Sequence, residues 1–113
     1  VKTETGINDW IYAADEIDLK EGGMIPAYPL GVHILLARVD DSVYALSGKC
    51  IHMACPLYMG ILKGDILTCP CHDWQYNIRT GEFLDAAELI LEKYKLKSEN
   101  GKLYILLTKE EPK

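Results

Sequence analysis

Arginine is almost missing from this chain, being confined to Arg38 and Arg79, and histidine occurs three times in 113 residues. With lysine and glutamate common, that composition is compatible with a thermophile. Basic residues fall short of acidic ones by enough to leave a formal charge of −5, which argues against a nucleic-acid partner, since such proteins present a basic face. Long apolar runs are absent too. The longest, such as Ile34-Leu35-Leu36-Ala37, are far too short to cross a bilayer, so no membrane span is expected. The opening Val-Lys-Thr-Glu-Thr-Gly lacks the apolar stretch of a signal peptide, which points to a cytoplasmic protein, membrane-associated only if an anchor has been removed. Neither a repeat nor a linker is visible, so a single domain over 1–113 is expected, large enough to bury somewhat more than about 60% of its unfolded surface. The lack of a phosphate loop, or of a nucleophile with a partnering base, speaks against an enzyme.

What is present is concentrated. All four cysteines and two of the three histidines fall between positions 50 and 72, as Cys50-Ile51-His52 and Cys69-Pro70-Cys71-His72, with Cys55 between them. Each stretch offers a thiolate and an imidazole a few bonds apart. The sixteen residues from 53 to 68 suffice for a loop, a tight hairpin and a return strand, so two loop tips can face each other. Two Cys and two His suit either a tetrahedral structural zinc or a [2Fe–2S] cluster with thiolates on one iron and imidazoles on the other. Zinc fingers usually pair like with like. Here each pair is mixed, so each loop can span both irons of a binuclear cluster, and this spacing favours iron–sulfur over zinc.

Cys-x-His followed by Cys-x-x-His at this separation resembles the Rieske motif. The flanks resemble soluble Rieske ferredoxins: Cys55-Pro56-Leu57 after the first pair, Gly64 before the second, Trp74 and Tyr76 after it, then Arg79-Thr80-Gly81. An early Trp10 and a late Leu91-x-x-Tyr94 extend the similarity over roughly residues 8–108. The resemblance implies an all-β Rieske fold, an antiparallel β-sandwich or barrel base carrying a small cluster-binding subdomain inserted at about 47–80. It further implies one [2Fe–2S] cluster per chain, with Cys50 and Cys69 as thiolate ligands and His52 and His72 on the outer iron. Cys55 and Cys71 stand where high-potential Rieske proteins of cytochrome bc complexes place a disulfide between the two cluster loops, so a Cys55–Cys71 bridge is expected. Closing its loop is worth at most about 3 kcal/mol in the chain-entropy model, less where a cluster already pins both loops.

Two residues bear on the reduction potential. Tyr76 stands where high-potential relatives place a hydroxyl donor toward a ligand sulfur, whereas Trp74 replaces their second donor, a serine, as in ferredoxins. A potential between the two classes is expected, within roughly −150 to +300 mV. Asp73 replaces the usual glycine, as a turn residue or as a charge opposing reduction. Met53, Leu57, Met59 and Pro70 are candidates either for an apolar collar around the histidine edge or for packing within the loops. His33, inside an expected strand over 32–39, reads as structural or surface.

Local patterning supplies the strands. Residues 9–13 read as an opening strand, 24–27 as an edge strand because Pro26 has no N–H to give, and 32–39 with 43–46 as a hairpin turned at Asp40-Asp41-Ser42. A second hairpin, Ile61-Leu62 with Ile66–Thr68, delivers the chain to Cys69, and 74–78 leaves the second loop as a strand. Over 85–97 the spacing of Ala86, Leu89, Ile90 and Tyr94 is helical, but the resemblance implies an extended path with at most a short helical turn and a strand at 94–97. Residues 102–108 close the fold.

The reading is a one-electron carrier. Its redox change is coupled to deprotonation of a ligand histidine, and its protein partners are a reductase, an oxygenase or a respiratory component. A soluble head of a quinol-oxidising membrane complex and an iron–sulfur redox sensor are alternatives, and a zinc-stabilised interaction module is a more distant one.

Overall fold

The run Ile34-Leu35-Leu36-Ala37 is apolar on both faces because both of its faces are covered. In a computed structural model, which describes residues 8–51, 55–71 and 73–108, this run belongs to strand β3 (Ile34–Val39), where every side chain except Arg38 is buried. Alternate side chains of a strand point to opposite faces. Ile34 and Leu36 therefore enter one core, with Leu19, Ala27, Ala45, Leu103, Ile105 and Leu107. Leu35, Ala37 and Val39 enter another, with Leu46, Leu57, Leu67, Tyr76, Ile78, Phe83, Leu91 and the thiols of Cys50 and Cys69.

Three antiparallel sheets enclose these cores, and the described residues contain no α-helix. β1 (Asn8–Asp15), β12 (Lys102–Thr108) and β11 (Leu96–Glu99) form the first, in that order. The second runs β10 (Lys93–Tyr94), β4 (Ser42–Ser47), β3 and β2 (Met24–Ala27), so the strand carrying Pro26 lies at an edge as expected. The third is a meander of β5 (Ile61–Lys63), β6 (Ile66–Thr68), β7 (Gln75–Asn77), β8 (Glu82–Phe83) and β9 (Ala86–Ile90). The sheet that carries the second ligand stretch thus continues past residue 80 to Ile90.

Residues 85–97 take the extended path expected of them, with β9 folding back on β8, but the single strand expected at 94–97 is divided between two sheets. Lys93 and Tyr94 pair with Leu46 and Ala45, whereas Leu96 pairs with Ile105. Lys95 is the crossing point, its carbonyl accepting the Leu106 N–H at 2.9 Å. The strand expected over 32–39 begins two residues late, because a 3-10 turn at Pro29–Gly31, with Leu30 at φ 52°, redirects the chain just before it. His33 therefore precedes β3 rather than lying within it.

Both arginines fasten turns. Arg79 donates from Nε to Asp65 (2.8 Å), from Nη1 to the Tyr44 hydroxyl (2.7 Å) and from Nη2 to Asp40 (2.8 Å), which joins the third sheet to the β3–β4 hairpin. That hairpin turns on Asp40 and Asp41, both with positive φ, a conformation that favours Asn or Gly. The Glu21 carboxylate accepts both of their N–H groups, at 2.7 and 2.8 Å, and Arg38 lies 3.7 Å from Asp41.

Candidate metal centre

Each ligand stretch leaves a strand as the neck of a closed loop. After β4 the chain rises through Gly48 and returns through Leu57, with the Leu57 N–H donating to the Gly48 carbonyl at 2.9 Å and Lys49 bridging Pro56. The Cys50 N–H then donates to the Cys55 carbonyl at 2.9 Å. After β6 the same device recurs: the Cys69 N–H donates to the Trp74 carbonyl at 2.7 Å. Each cysteine therefore stands five residues before its own partner, and its thiol points down into the second core, 3% exposed at Cys50 and 1% at Cys69. Gly60 brings the loops together. Its backbone lies against the Thr68 carbonyl, where a Cβ would collide, so the end of the first loop presses on the residue before Cys69.

Tyr76 lies beneath. This fully buried residue of β7 places its hydroxyl 3.2 Å from the Cys50 sulfur and accepts the Ile51 N–H at 3.2 Å. Burial, then the hydrogen bond to Cys50, push the hydroxyl well above its ordinary pKa, and the charges of Cys50 and Cys69 act in the same direction against the Ile51 N–H. Both thiols are thus close enough to one phenol to act on it. Trp74 stacks on Phe83 at 4.1 Å, which in turn meets the Tyr76 ring at 5.7 Å. Two buried thiols above a buried hydroxyl fit the thiolate half of a [2Fe–2S] site, where that hydroxyl would donate to sulfur. His52 and His72 lie outside the described residues, as does Met53.

The structure joins Cys55 and Cys71 in a disulfide with a Cα–Cα separation of 6.5 Å, tying the end of the first loop to the middle of the second. Cys71 is exposed, so this bridge is on the outer side of the loops. Asp73 has φ 58°, the left-handed region in which a side chain is a burden, and this accounts for glycine being usual there. Of the candidate collar residues, Leu57 is fully buried and belongs to loop packing, whereas Met59, 64% exposed, and Pro70 face outward. Ile51, which the sequence reading passed over, adds an exposed apolar side chain directly after Cys50. Its signal was its place between two ligand candidates.

The family model for the Rieske [2Fe-2S] domain matches residues 9–95. The chain belongs to the Rieske [2Fe–2S] family. Among curated relatives, this Rieske domain is 29% identical to the methanesulfonate monooxygenase ferredoxin subunit of Methylosulfonomonas methylovora, over 89% of this chain and 83% of that one. It is 32% identical to the ferredoxin component of the alkene monooxygenase system of Xanthobacter autotrophicus, over 78% of this chain and 73% of that one. Among solved structures it superposes on the ferredoxin of carbazole 1,9a-dioxygenase from Nocardioides aromaticivorans with a TM-score of 0.75 and 26% identity, covering 85% of this chain and 95% of the other. The expected fold class, family and cofactor type therefore hold.

Proposed function

We propose that this Rieske domain is an electron-transfer protein rather than an enzyme: a one-electron carrier serving an oxygenase system, in the cytoplasm. One [2Fe–2S] cluster would be held by Cys50, His52, Cys69 and His72. The observation that carries this reading is the pair of buried thiols at the necks of two facing loops, in a chain similar over most of its length to ferredoxin components of monooxygenase systems. Bound there, the cluster would supply one-electron chemistry.

The chain's own residues do the rest. Cys50 and Cys69 would hold one iron through thiols buried in the second core. With Cys50 as a thiolate, the Tyr76 hydroxyl would donate to its sulfur and favour the reduced, more negative state. The Cys55–Cys71 disulfide braces the loops from outside. The N–H of an iron-bound imidazole loses a proton more readily when the iron is ferric, so oxidation and deprotonation would be linked. A potentiometric titration tests this: one electron per chain is expected, with a potential that falls as pH rises through the oxidised-state histidine pKa. Uptake of no electron, or a pH-independent potential up to pH 11, would contradict the reading.

A further inference from the structure

His33 is far from the ligands in sequence but packs against the neck of the first ligand loop. Its carbonyl accepts the Gly48 N–H at 3.0 Å, and its ring occupies the space where a side chain at 48 would stand: a Cβ there would lie 2.5 Å from Cδ2 and 2.8 Å from Nε2. Tyr28 stacks on the ring at 4.8 Å, and Tyr58, the residue after Leu57, meets it edge-on at 6.3 Å. The ring thus touches Gly48 on the ascending side of the neck and Tyr58 on the descending side. Between them run the hydrogen bond from Leu57 to Gly48 and, one step higher, that from Cys50 to Cys55.

We propose that His33 is a positioning residue for the first ligand loop, its ring wedged against Gly48 between Tyr28 and Tyr58 so that the neck closes and Cys50 presents its sulfur inward. This rests on the ligand assignment proposed above. The wedge requires an uncharged ring. Among the described residues, Nε2 is buried without a hydrogen-bond partner, and the titratable groups that face the ring are Tyr28, just before the Pro29–Gly31 turn, and Tyr58 and Lys49, on the two sides of the neck. Burial first, and then the Lys49 ammonium, lower the His33 pKa. An opened neck therefore binds a proton more readily than a closed one, so closure is fully favoured above the ordinary histidine range and weakens as pH falls below about 6.5.

The test compares holoprotein of the wild type, His33→Phe, which keeps a ring without a titrating nitrogen, and His33→Ala. Iron and sulfide are counted first, then bleaching of the visible spectrum is followed from pH 8 to 4.5, with hydrogen exchange measured over 47–60 and over 102–108. At neutral pH, His33→Ala should bleach about tenfold faster than wild type and exchange faster over 47–60 but not over 102–108, the sign of a local rather than global opening. Gly48→Ala should do the same, because its methyl intrudes on the ring. His33→Phe should match wild type at neutral pH and lack the wild-type acceleration below about 6.5. Equal bleaching and exchange in all three proteins, a His33→Phe that behaves like His33→Ala, or faster exchange spread equally over both segments would each overturn the proposal while leaving the carrier reading intact. A wild type without iron and sulfide would overturn both.

Discussion

The two cores on either side of β3 differ in what they enclose. One, between β3 and the β1–β12–β11 sheet, is almost wholly aliphatic: Leu19, Ile34, Leu36, Leu103, Ile105 and Leu107 fill it. The other, toward the β5–β9 sheet, gives part of its volume to two thiols and a buried phenol. Each core also has a tyrosine, and their hydroxyls meet different surroundings. Tyr94, at the margin of the first, reaches Glu92 at the surface (3.3 Å), and burial followed by that carboxylate pushes its pKa up to about 12. Tyr76 keeps its hydroxyl inside, on Cys50. Both cores stabilise the fold, but only the second also presents sulfur, and a single strand serves both.

The strongest way to break this contrast is to remove a thiol. Cys69→Ser should abolish the visible spectrum altogether while leaving a folded β protein by circular dichroism, since the first core is untouched. Next come cavities on the two sides of β3. Leu36→Ala and Leu67→Ala should each cost about 2–5 kcal/mol in chemical denaturation, but only Leu67→Ala should also speed loss of iron at neutral pH. A smaller effect is expected from Cys55→Ala with Cys71→Ala: at most about 3 kcal/mol in the protein without iron, and less in the loaded protein, where the ligands already pin both loops. Smallest is the hydroxyl pair. Tyr76→Phe should lower the potential by roughly 20–60 mV, the equivalent of about 0.5–1.5 kcal/mol per electron, whereas Tyr94→Phe should leave it unchanged.

Much of this was legible from local pattern. The hairpins ending at Ser47 and Thr68 followed from apolar runs broken at Asp40-Asp41 and Gly64-Asp65, and the crowding of Cys and His between 50 and 72 marked the two loops as a candidate site. What was hidden depends on which face a residue meets. The run at 34–37 did not reveal that it serves two cores. Leu57 and Met59 looked alike, yet one is buried and the other exposed. The division at Lys95 arises because Tyr94 and Leu96 pair with strands of different sheets, which periodicity within one segment cannot express. His33 had no ligand neighbour in sequence, and only the close approach of Gly48 reveals its place. Arg79, one of two arginines, carried a signal in its rarity, but its partners Asp40, Tyr44 and Asp65 lie 14 to 39 residues away.

The central claim, that Cys50, Cys69 and two histidines hold one cluster, is tested most directly by pulsed electron paramagnetic resonance of the dithionite-reduced protein grown with nitrogen-15 histidine, with iron and sulfide counted on the same sample. The account predicts a Rieske-type signal, about two irons and two sulfides per chain, and couplings from two histidine nitrogens that shift with the label. A two-iron signal without histidine coupling would instead mean that Cys55 and Cys71 complete the ligand set, and zinc without sulfide would mean that there is no electron carrier here.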